Sequence, residues 1–313
     1  MQDKLLSIYI PTYNRAEKVV AQLNFILDEI KDIESDRVEI VVNNNCSTDD
    51  TEQRILDIVE NTSVIYHKNT SNLGIVGNAY AAADLVHGKY FWLIGDDDIL
   101  CPGIVERVYN IINSNPKISH VFLNYDICDI HLSAYDGLSG LIKNGAKYMT
   151  GEKVNQSNVL VLTTSNIYLK EALVKTVREL PLSTCESYGW SAFAAFTSMK
   201  MGYSYFDNKV WMHNDAANMS WKDIVCEANM GRVRMYEKLK RVGYTRREIS
   251  MLYRQNVDSA LLGKVIYRFL LSKDYKVLIS DILFCFRKVP VNTISICFSL
   301  LYEKIKTMKV KKI

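Results

Sequence analysis

The 7 cysteines of this sequence form no Cys-x-x-Cys pair and no cluster with histidine at zinc-ligand spacing. This absence argues against a zinc module and favours a reduced, cytosolic compartment. No apolar run reaches the roughly 20 residues that a transmembrane helix needs. The uncharged run Val289–Tyr302 has 14 residues and contains a proline. No signal peptide is predicted, since the apolar residues 5–10 run directly into Pro11.

Proline and glycine are also scarce, at 5 and 14 of 313 residues, while 48% of residues are hydrophobic and 23% charged. This composition indicates a globular protein with one large domain, or a catalytic domain with an appendage. The net charge of +3 hides an asymmetry. Residues 230–313 contain 19 Lys and Arg against 6 Asp and Glu, whereas residues 1–229 contain 19 against 29. The opposite net charges of these two parts of the chain predict two different functions for them. The basic part is predicted to bind an anionic partner.

Strand and helix patterns alternate along the N-terminal half. Segments with apolar residues at helical spacing separate short apolar runs that are predicted to be buried strands. Pro102 is predicted to open a helix. The predicted strands are Leu5–Ile10, Val38–Val42, the segment SVIYH (63–67), the segment KYFWLI (89–94) and the segment SHVFLNY (119–125). This alternation predicts an α/β fold with a mostly parallel sheet and right-handed crossovers. Ligands of such sheets bind outside the carboxyl ends of the strands.

Three polar clusters follow three of these strands: PTYN after the first, NNNCSTDD after the second and GDDD after the fourth. They are predicted to converge on one edge of the sheet. The adjacent carboxylates of Asp96, Asp97 and Asp98 repel one another, so a positive partner is expected. A hard divalent cation that also binds a diphosphate would offset the repulsion. The alternative is a solvated acidic turn at the start of the next helix.

The order and spacing of SIYIPTYNR, EIVVNNNCSTDDT and NLGIVGNAYAAADLVHGKYFWLIGDDDIL resemble the family 2 glycosyltransferases of the GT-A fold over about the first 110 residues. The resemblance implies a Rossmann-like, mostly parallel sheet. It also implies a metal-dependent, inverting transfer of a sugar from a nucleotide-diphosphate donor, in a setting such as bacterial O-antigen or capsule synthesis. The expected domains are a catalytic domain 1–225, with donor half 1–125 and acceptor half 126–225, and a mainly helical basic region 226–313.

The resemblance also implies roles for individual residues. The expected contacts to the nucleotide-sugar are Pro11, Thr12, Tyr13, Asn14, Asn44, Asn72, Gly74, Asn78, Asp96 and Asp97. The expected ligands of Mn²⁺ or Mg²⁺ are Asp96, Asp98 and His213.

Two positions depart from the family pattern. Gly95 stands where the metal motif more often begins with Asp, and Asn44 stands where the family usually has an Asp that reads the base. Because Asn carries both a donor and an acceptor, it suits uracil, cytosine or a thymine-like edge, and the nucleotide stays open. The family often has an Arg near the Asn72–Asn78 loop for the diphosphate, and none stands there.

The general base of an inverting transfer is expected at Glu186, a carboxylate before an apolar helix. Ser187 replaces the second acid of the usual Glu-Asp pair, and Asp126 and Asp129 are rival candidates. The alternative is that Glu186 has only a structural role, as an acidic residue at the start of a helix that interacts favourably with the helix dipole.

The basic C-terminal region combines apolar helix faces with Lys and Arg, and ends in EKIKTMKVKKI. It is predicted to lie on an anionic membrane surface, where a polyprenyl-diphosphate-linked glycan acceptor would be found. The alternative is an oligomerisation or core-covering element. Nucleic acid is not expected as a partner, because no recognised reading motif is present. The expected location is the cytoplasm or the inner face of the plasma membrane.

Two other functions stay open. A nucleotidyltransferase would also combine an α/β sheet, a diphosphate and Mg²⁺, but PTYNRAEK lacks the Gly-rich loop that it would need. A catalytically inactive glycan- or membrane-binding module on the same fold would explain Asn44 and the missing Glu-Asp pair.

Overall fold

A computed structural model describes residues 4–127, 132–151, 157–214, 225–258, 261–263, 265, 275–290 and 293–294. The strands in these ranges are β1 Leu6–Thr12, β2 Val38–Asn44, β3 Ile65–Lys68, β4 Tyr90–Leu93, β5 Ile99–Leu100, β6 Ile118–Ile127, β7 Leu132–Ser133, β8 Gly140–Ile142, β9 Asn166–Leu169 and β10 Tyr203–Asn214. The helices are α1 Ala16–Glu29, α2 Thr51–Val59, α3 Gly74–Tyr80, α4 Ala82–Leu85, α5 Ile104–Ser114, α6 Gly145–Met149, α7 Lys170–Glu179, α8 Trp190–Met199, α9 Val225–Met235, α10 Arg246–Asn256 and α11 Tyr275–Lys288.

One sheet organises the protein, with the strand order β3-β2-β1-β4-β9-β6-β10-β5. The pairs β3–β2, β2–β1, β1–β4 and β6–β10 are parallel. Strand β9 lies antiparallel between β4 and β6, so those two strands still point the same way. The predicted α/β fold with a mostly parallel sheet is confirmed.

The central strands are apolar along their whole length because helices cover both faces of the sheet. Along β1, Ile8 and Ile10 face the apolar cluster that contains Leu23 of α1, while Tyr9 faces the cluster that contains Phe193 of α8. Alternate residues therefore enter opposite layers of the core. This two-sided burial explains why the strands appear in the sequence as continuous apolar runs.

The short strand β9 reverses direction inside the sheet and was not predicted. It places the turn before it beside the carboxyl end of β4, where Trp92 Nε1 donates a 2.8 Å hydrogen bond to the Thr164 carbonyl. Leu123 N likewise donates a 2.8 Å bond to the Ser165 carbonyl. The turn is thus held between β4 and β6.

The C-terminal helices pack against helix α8 and the turn before it. Gly231 of α9 lies against Cys185, where an added Cβ would come within 1.9 Å of the Cys185 carbonyl oxygen, so only glycine fits. Tyr236 and Leu239 join the same apolar cluster as α8, and Tyr244 Oη donates a 2.7 Å hydrogen bond to the Phe196 carbonyl. No helix in the described ranges has the length and apolarity needed to cross a bilayer.

Candidate active site

The carboxyl ends of β1 and β4 meet because the two strands are parallel neighbours, with Tyr9 opposite Leu93. The residues that follow the two strands therefore share one edge of the sheet. Thr12 Oγ1 donates a hydrogen bond to Asp96 Oδ2 at 2.8 Å, and both side chains are buried. The PTYN and GDDD clusters thus contact each other.

Arg15, the residue before α1, supplies the positive partner that the adjacent carboxylates require. Its Nη1 lies 2.7 Å from Asp96 Oδ1 and 2.6 Å from Asp97 Oδ2. The backbone N–H of Arg15 donates to the buried Thr51 Oγ1 at 3.1 Å, which anchors the residue on α2. Burial raises the pKa of Asp96, although Arg15 and Thr12 oppose the rise. One guanidinium therefore contacts two carboxylates and offsets one of their two negative charges.

Asp98 has a different environment. Its Oδ2 accepts a short hydrogen bond from Thr164 Oγ1, which in turn accepts one from Gly95 N–H at 3.0 Å. Burial of the carboxyl group raises the pKa of Asp98 to about 6, and the neighbouring Asp97 and Asp96 contribute to the rise. In the described part of the chain, no Lys or Arg pairs with Asp98.

These carboxylates fit a divalent cation that takes part of its shell from a substrate. Across the described residues, no group of three or more His, Cys, Asp or Glu side chains is arranged to hold a metal ion. However, one or two carboxylates together with substrate phosphates are a usual ligand set for Mg²⁺. Asp96 and Asp98 supply such oxygens at a poorly solvated edge, where added positive charge is favourable.

The loops after β1 and β2 are bonded to each other. Asn14 N–H donates to Ser47 Oγ at 2.9 Å, and Thr48 N–H donates to Asn14 Oδ1 at 2.8 Å. Asn14 and Cys46 have φ of 52° and 64°, in the left-handed region that non-glycine residues rarely adopt. Such strained residues are concentrated at functional sites, because the surrounding structure has to hold them there.

Asn44, at the predicted base-reading position, is buried at the end of β2. Its Oδ1 accepts from Ser47 N–H at 2.8 Å, and its Nδ2 donates to Tyr66 Oη at 3.1 Å. The oxygen end of the amide therefore shapes the β2–α2 loop, and its nitrogen end is bonded to strand β3. By contrast, Tyr13 follows β1 with 39% of its surface exposed.

A cluster of asparagines lies behind this edge and contains Asn43, Asn45, Asn69, Asn72 and Asn78. Asn43 Nδ2 donates to Asn78 Oδ1 at 2.7 Å, and Asn45 Nδ2 donates to Asn72 Oδ1 at 2.9 Å. Asn72 Oδ1 also accepts from Gly74 N–H, and Gly74 has a φ of 71°. The cluster fixes the loop that starts α3, and it brings Asn72, Gly74 and Asn78 together in one network.

The comparison with known proteins agrees with this geometry. Residues 7–127 match the family model described as Glycosyl transferase family 2. Residues 7–127 are therefore a family 2 glycosyltransferase domain. The resemblance identified from the sequence is confirmed.

Curated relatives align with the same domain. The abequosyltransferase RfbV of Salmonella typhimurium is 37% identical over 117 residues, which are 36% of this chain and 34% of that protein. An uncharacterized glycosyltransferase of Rickettsia prowazekii is 30% identical over 127 residues, 40% of this chain and 37% of that protein. The chain thus spans about a third of the length of these relatives.

Solved structures share the fold over most of the chain. TarS 1–349 of S. aureus, in complex with UDP-GlcNAc, has a TM-score of 0.62 at 15% identity, covering 93% of this chain and 83% of that one. A mannosyltransferase from Pyrobaculum calidifontis, in complex with GDP-Man and Mn²⁺, has a TM-score of 0.54 at 13% identity, covering 96% and 87%. The glycosyltransferase fold therefore extends beyond the matched domain.

His213 lies on β10 opposite Ile99, beside the segment that follows Asp98. Its Nδ1 is 2.6 Å from Asp126 Oδ1, and its Nε2 is 3.8 Å from Cys101 Sγ. The imidazole is thus positioned by Asp126, and its role as a metal ligand stays a prediction. The rival base Asp129 lies outside the described residues.

Glu186 lies in the 3-10 helix Cys185–Gly189, directly before α8. It is half-buried, and the hydrogen bond found for it among the described residues comes from the Cys185 thiol at 3.7 Å. Because helix α9 packs against this turn, the position of Glu186 depends on the C-terminal region. Its role as a general base stays a prediction.

Two residues of the site, Arg15 and Thr164, were not predicted from the sequence. Arg15 was inside the quoted motif SIYIPTYNR, and the repulsion within GDDD predicted some cation, but nothing local identified which one. Thr164 is 66 positions from Asp98 in sequence, and only the antiparallel β9 brings it there. No periodicity or spacing marks such a residue.

Proposed function

We propose that this protein is a glycosyltransferase that moves a sugar from a nucleotide-diphosphate sugar to a glycan acceptor. The proposed reaction inverts the anomeric carbon and uses Mn²⁺ or Mg²⁺. The observation that carries the proposal is the position of Asp96, Asp97 and Asp98 at the carboxyl end of β4, in contact with the β1 loop. In α/β sheets this is the edge at which ligands bind.

The donor would lie across the loops after β1, β2 and β4. The exposed ring of Tyr13 would pack on the nucleoside, with Pro11, Thr12 and Asn14 holding its loop. Asn44 is proposed to act on the base through the loop that its amide shapes. Structural neighbours are described with UDP-GlcNAc and with GDP-Man, so similarity of fold does not choose the nucleotide.

Asp96 and Asp98 would hold the cation, which supplies positive charge where the diphosphate leaves. Asp97 would stay with Arg15, as it is in the structure. Asp96, which also contacts Arg15 in the structure, would face the metal together with Asp98, and Asp97 would keep the arginine in place. Asn72, Gly74 and Asn78 would support the donor site from behind.

The acceptor hydroxyl must lose its proton as it attacks the anomeric carbon. Glu186 is the proposed base, because a carboxylate at the start of α8 can accept that proton and lacks a cationic partner among the described residues. Asp126 is the rival, but its Oδ1 is already bonded to His213. His213 is proposed to move toward the diphosphate or the metal when the donor binds.

The setting proposed is bacterial surface polysaccharide synthesis, because the named relative is an abequosyltransferase. The acceptor would then be carried on a polyprenyl diphosphate at an anionic bilayer. On α11, Ile279, Leu283 and Phe286 are exposed at helical spacing beside Arg287, which suits a helix lying in the interface. The excess of basic residues after position 230 complements such a surface.

Donor turnover tests the proposal. The purified chain would be incubated with UDP-, GDP-, CDP- and dTDP-sugars, with Mn²⁺ or with EDTA, and the release of nucleoside diphosphate measured. We expect one class of donor to be hydrolysed slowly with Mn²⁺ and not with EDTA. Binding of a nucleotide without any release would instead support an inactive glycan-binding module. Formation of nucleoside triphosphate and sugar phosphate when pyrophosphate is added to the NDP-sugar would support a nucleotidyltransferase.

A further inference from the structure

The buried hydroxyl of Thr164 connects two parts of the metal motif. Its Oγ1 accepts from Gly95 N–H at 3.0 Å and donates to Asp98 Oδ2, while its carbonyl accepts from Trp92 Nε1 at 2.8 Å. Thr164 and Trp92 have no exposed surface. The threonine is therefore fixed to β4 at one end and holds the Asp98 carboxylate at the other.

Gly95 leaves the space that this arrangement needs. A Cβ at position 95 would lie 2.7 Å from Asp98 Oδ2 and 3.2 Å from Asp97 Oδ1, so any side chain there would displace the carboxylates. The departure of Gly95 from the Asp of the family pattern thus has a structural reason. Asp98 can approach Thr164 because position 95 is glycine.

The three carboxylates differ in the side chains that hold them. Arg15 contacts Asp96 and Asp97 through a charged group, whereas Asp98 is held by a neutral hydroxyl. A hydroxyl fixes the orientation of a carboxylate without neutralising it. Asp98 is thus held in a direction set by Thr164, with no Lys or Arg paired to it in the described part of the chain.

We propose that Thr164 is a positioning residue for the metal site, which sets the orientation of Asp98 and so the affinity for the divalent cation. This inference rests on the proposed function of Asp98 as a metal ligand. Residues that orient a metal ligand typically change metal affinity by about 10- to 100-fold when they are replaced.

The test is Mn²⁺ affinity, measured by calorimetry or electron paramagnetic resonance on the full chain without donor sugar, first alone and then with the nucleoside diphosphate that the wild type binds. Thr164→Val removes the hydroxyl at nearly constant volume, and Thr164→Ser restores it. Thr176→Val is the matched control, since Thr176 is also buried and its Oγ1 bonds a backbone carbonyl at 2.7 Å in α7, away from the carboxylates.

We expect Thr164→Val to weaken Mn²⁺ binding about tenfold or more, and Thr164→Ser and Thr176→Val to stay within about threefold of wild type. Equal affinity of Thr164→Val and wild type would overturn the inference and leave the proposed function standing. If Thr164→Val does not fold, Gly95→Ala tests the same contact between Thr164 and Asp98, because the added Cβ would displace the Asp98 carboxylate. An unchanged Mn²⁺ affinity of Gly95→Ala would overturn the inference. A wild type that binds no Mn²⁺ under either condition contradicts both proposals.

Discussion

Removal of Arg15 should destabilise the protein in a way that a divalent cation repairs. In Arg15→Ala, Asp96 and Asp97 lose a guanidinium 2.7 Å and 2.6 Å away. Two unit charges 4 Å apart interact by about 4 kcal/mol at an effective dielectric of 20. Asp96 is buried but Asp97 and Arg15 are partly exposed, which lowers this value. We therefore expect the free energy of unfolding to fall by about 2–3 kcal/mol.

The assay is urea unfolding with and without Mn²⁺. A cation at 100 times its dissociation constant stabilises the folded state by about 2.7 kcal/mol. Arg15→Ala should gain more from Mn²⁺ than wild type does, because the arginine no longer competes for the carboxylates. The matched control is Arg107→Ala, which breaks an Arg pair with the buried Asp207 at 2.9 Å, outside the GDDD segment.

The outcome separates a metal site from an ordinary ion pair. If Mn²⁺ repairs Arg15→Ala and leaves Arg107→Ala destabilised, the carboxylates of GDDD can exchange arginine for a metal ion. If Mn²⁺ stabilises both variants equally, or neither, Arg15 is only a structural partner of Asp96 and Asp97, and the reasoning is refuted.

Three further predictions concern single carboxylates. Asp98→Asn should lower Mn²⁺ affinity by about tenfold or more with an unchanged circular dichroism spectrum, and near-wild-type affinity would contradict the metal assignment. Glu186→Gln should remove most donor turnover while donor binding, measured by calorimetry, persists; loss in Asp126→Asn alone would transfer the role of base. Glu39 accepts from His87 N–H, Gly88 N–H and Ser7 Oγ. Its burial opposes ionisation, but these bonds lower the pKa of Glu39 overall. Glu39→Gln should therefore cost about 1–3 kcal/mol in urea unfolding at pH 7, and the difference from wild type should disappear as the pH falls through the folded-state pKa; a cost independent of pH would be inconsistent with this.

The sequence predicted five strands of the sheet, and for all of them except the edge strand β3 this follows from two-sided burial, which leaves a local record. Five apolar runs correspond to β1, β2, β3, β4 and β6. The convergence of PTYN, NNNCSTDD and GDDD followed from the parallel order of β1, β2 and β4, since parallel strands end at one edge.

Local signals failed where tertiary contacts decide. The sequence offers Ser47 or Thr48 as the cap of α2, but both bond to Asn14, and Asp49 Oδ1 accepts from Thr51 N–H instead. Pro102 was predicted to open a helix, yet α5 begins at Ile104 after Gly103, whose N–H donates to Glu29 of α1. In both cases a hydrogen bond to a residue distant in sequence replaces the local contact that the sequence pattern predicts.

The site itself could be predicted only in part. The carboxylates were visible as a charge cluster without a local counter-ion, which implied a cation but not Arg15. Strand β9 has four residues, and its place between β4 and β6 depends on pairings distant in sequence. Thr164 depends on that topology, so its contact with Asp98 could not be inferred from any pattern.

The most direct test of the central claim is calorimetric titration of the full chain with UDP, GDP, CDP and dTDP, each with and without Mn²⁺. We predict tight binding of one nucleotide, and only when Mn²⁺ is present, since Asp96 and Asp98 would reach the diphosphate through the cation. Asp98→Asn should abolish that dependence. Failure of all four nucleotides to bind would contradict the account and would leave GDDD as an acidic turn held by Arg15.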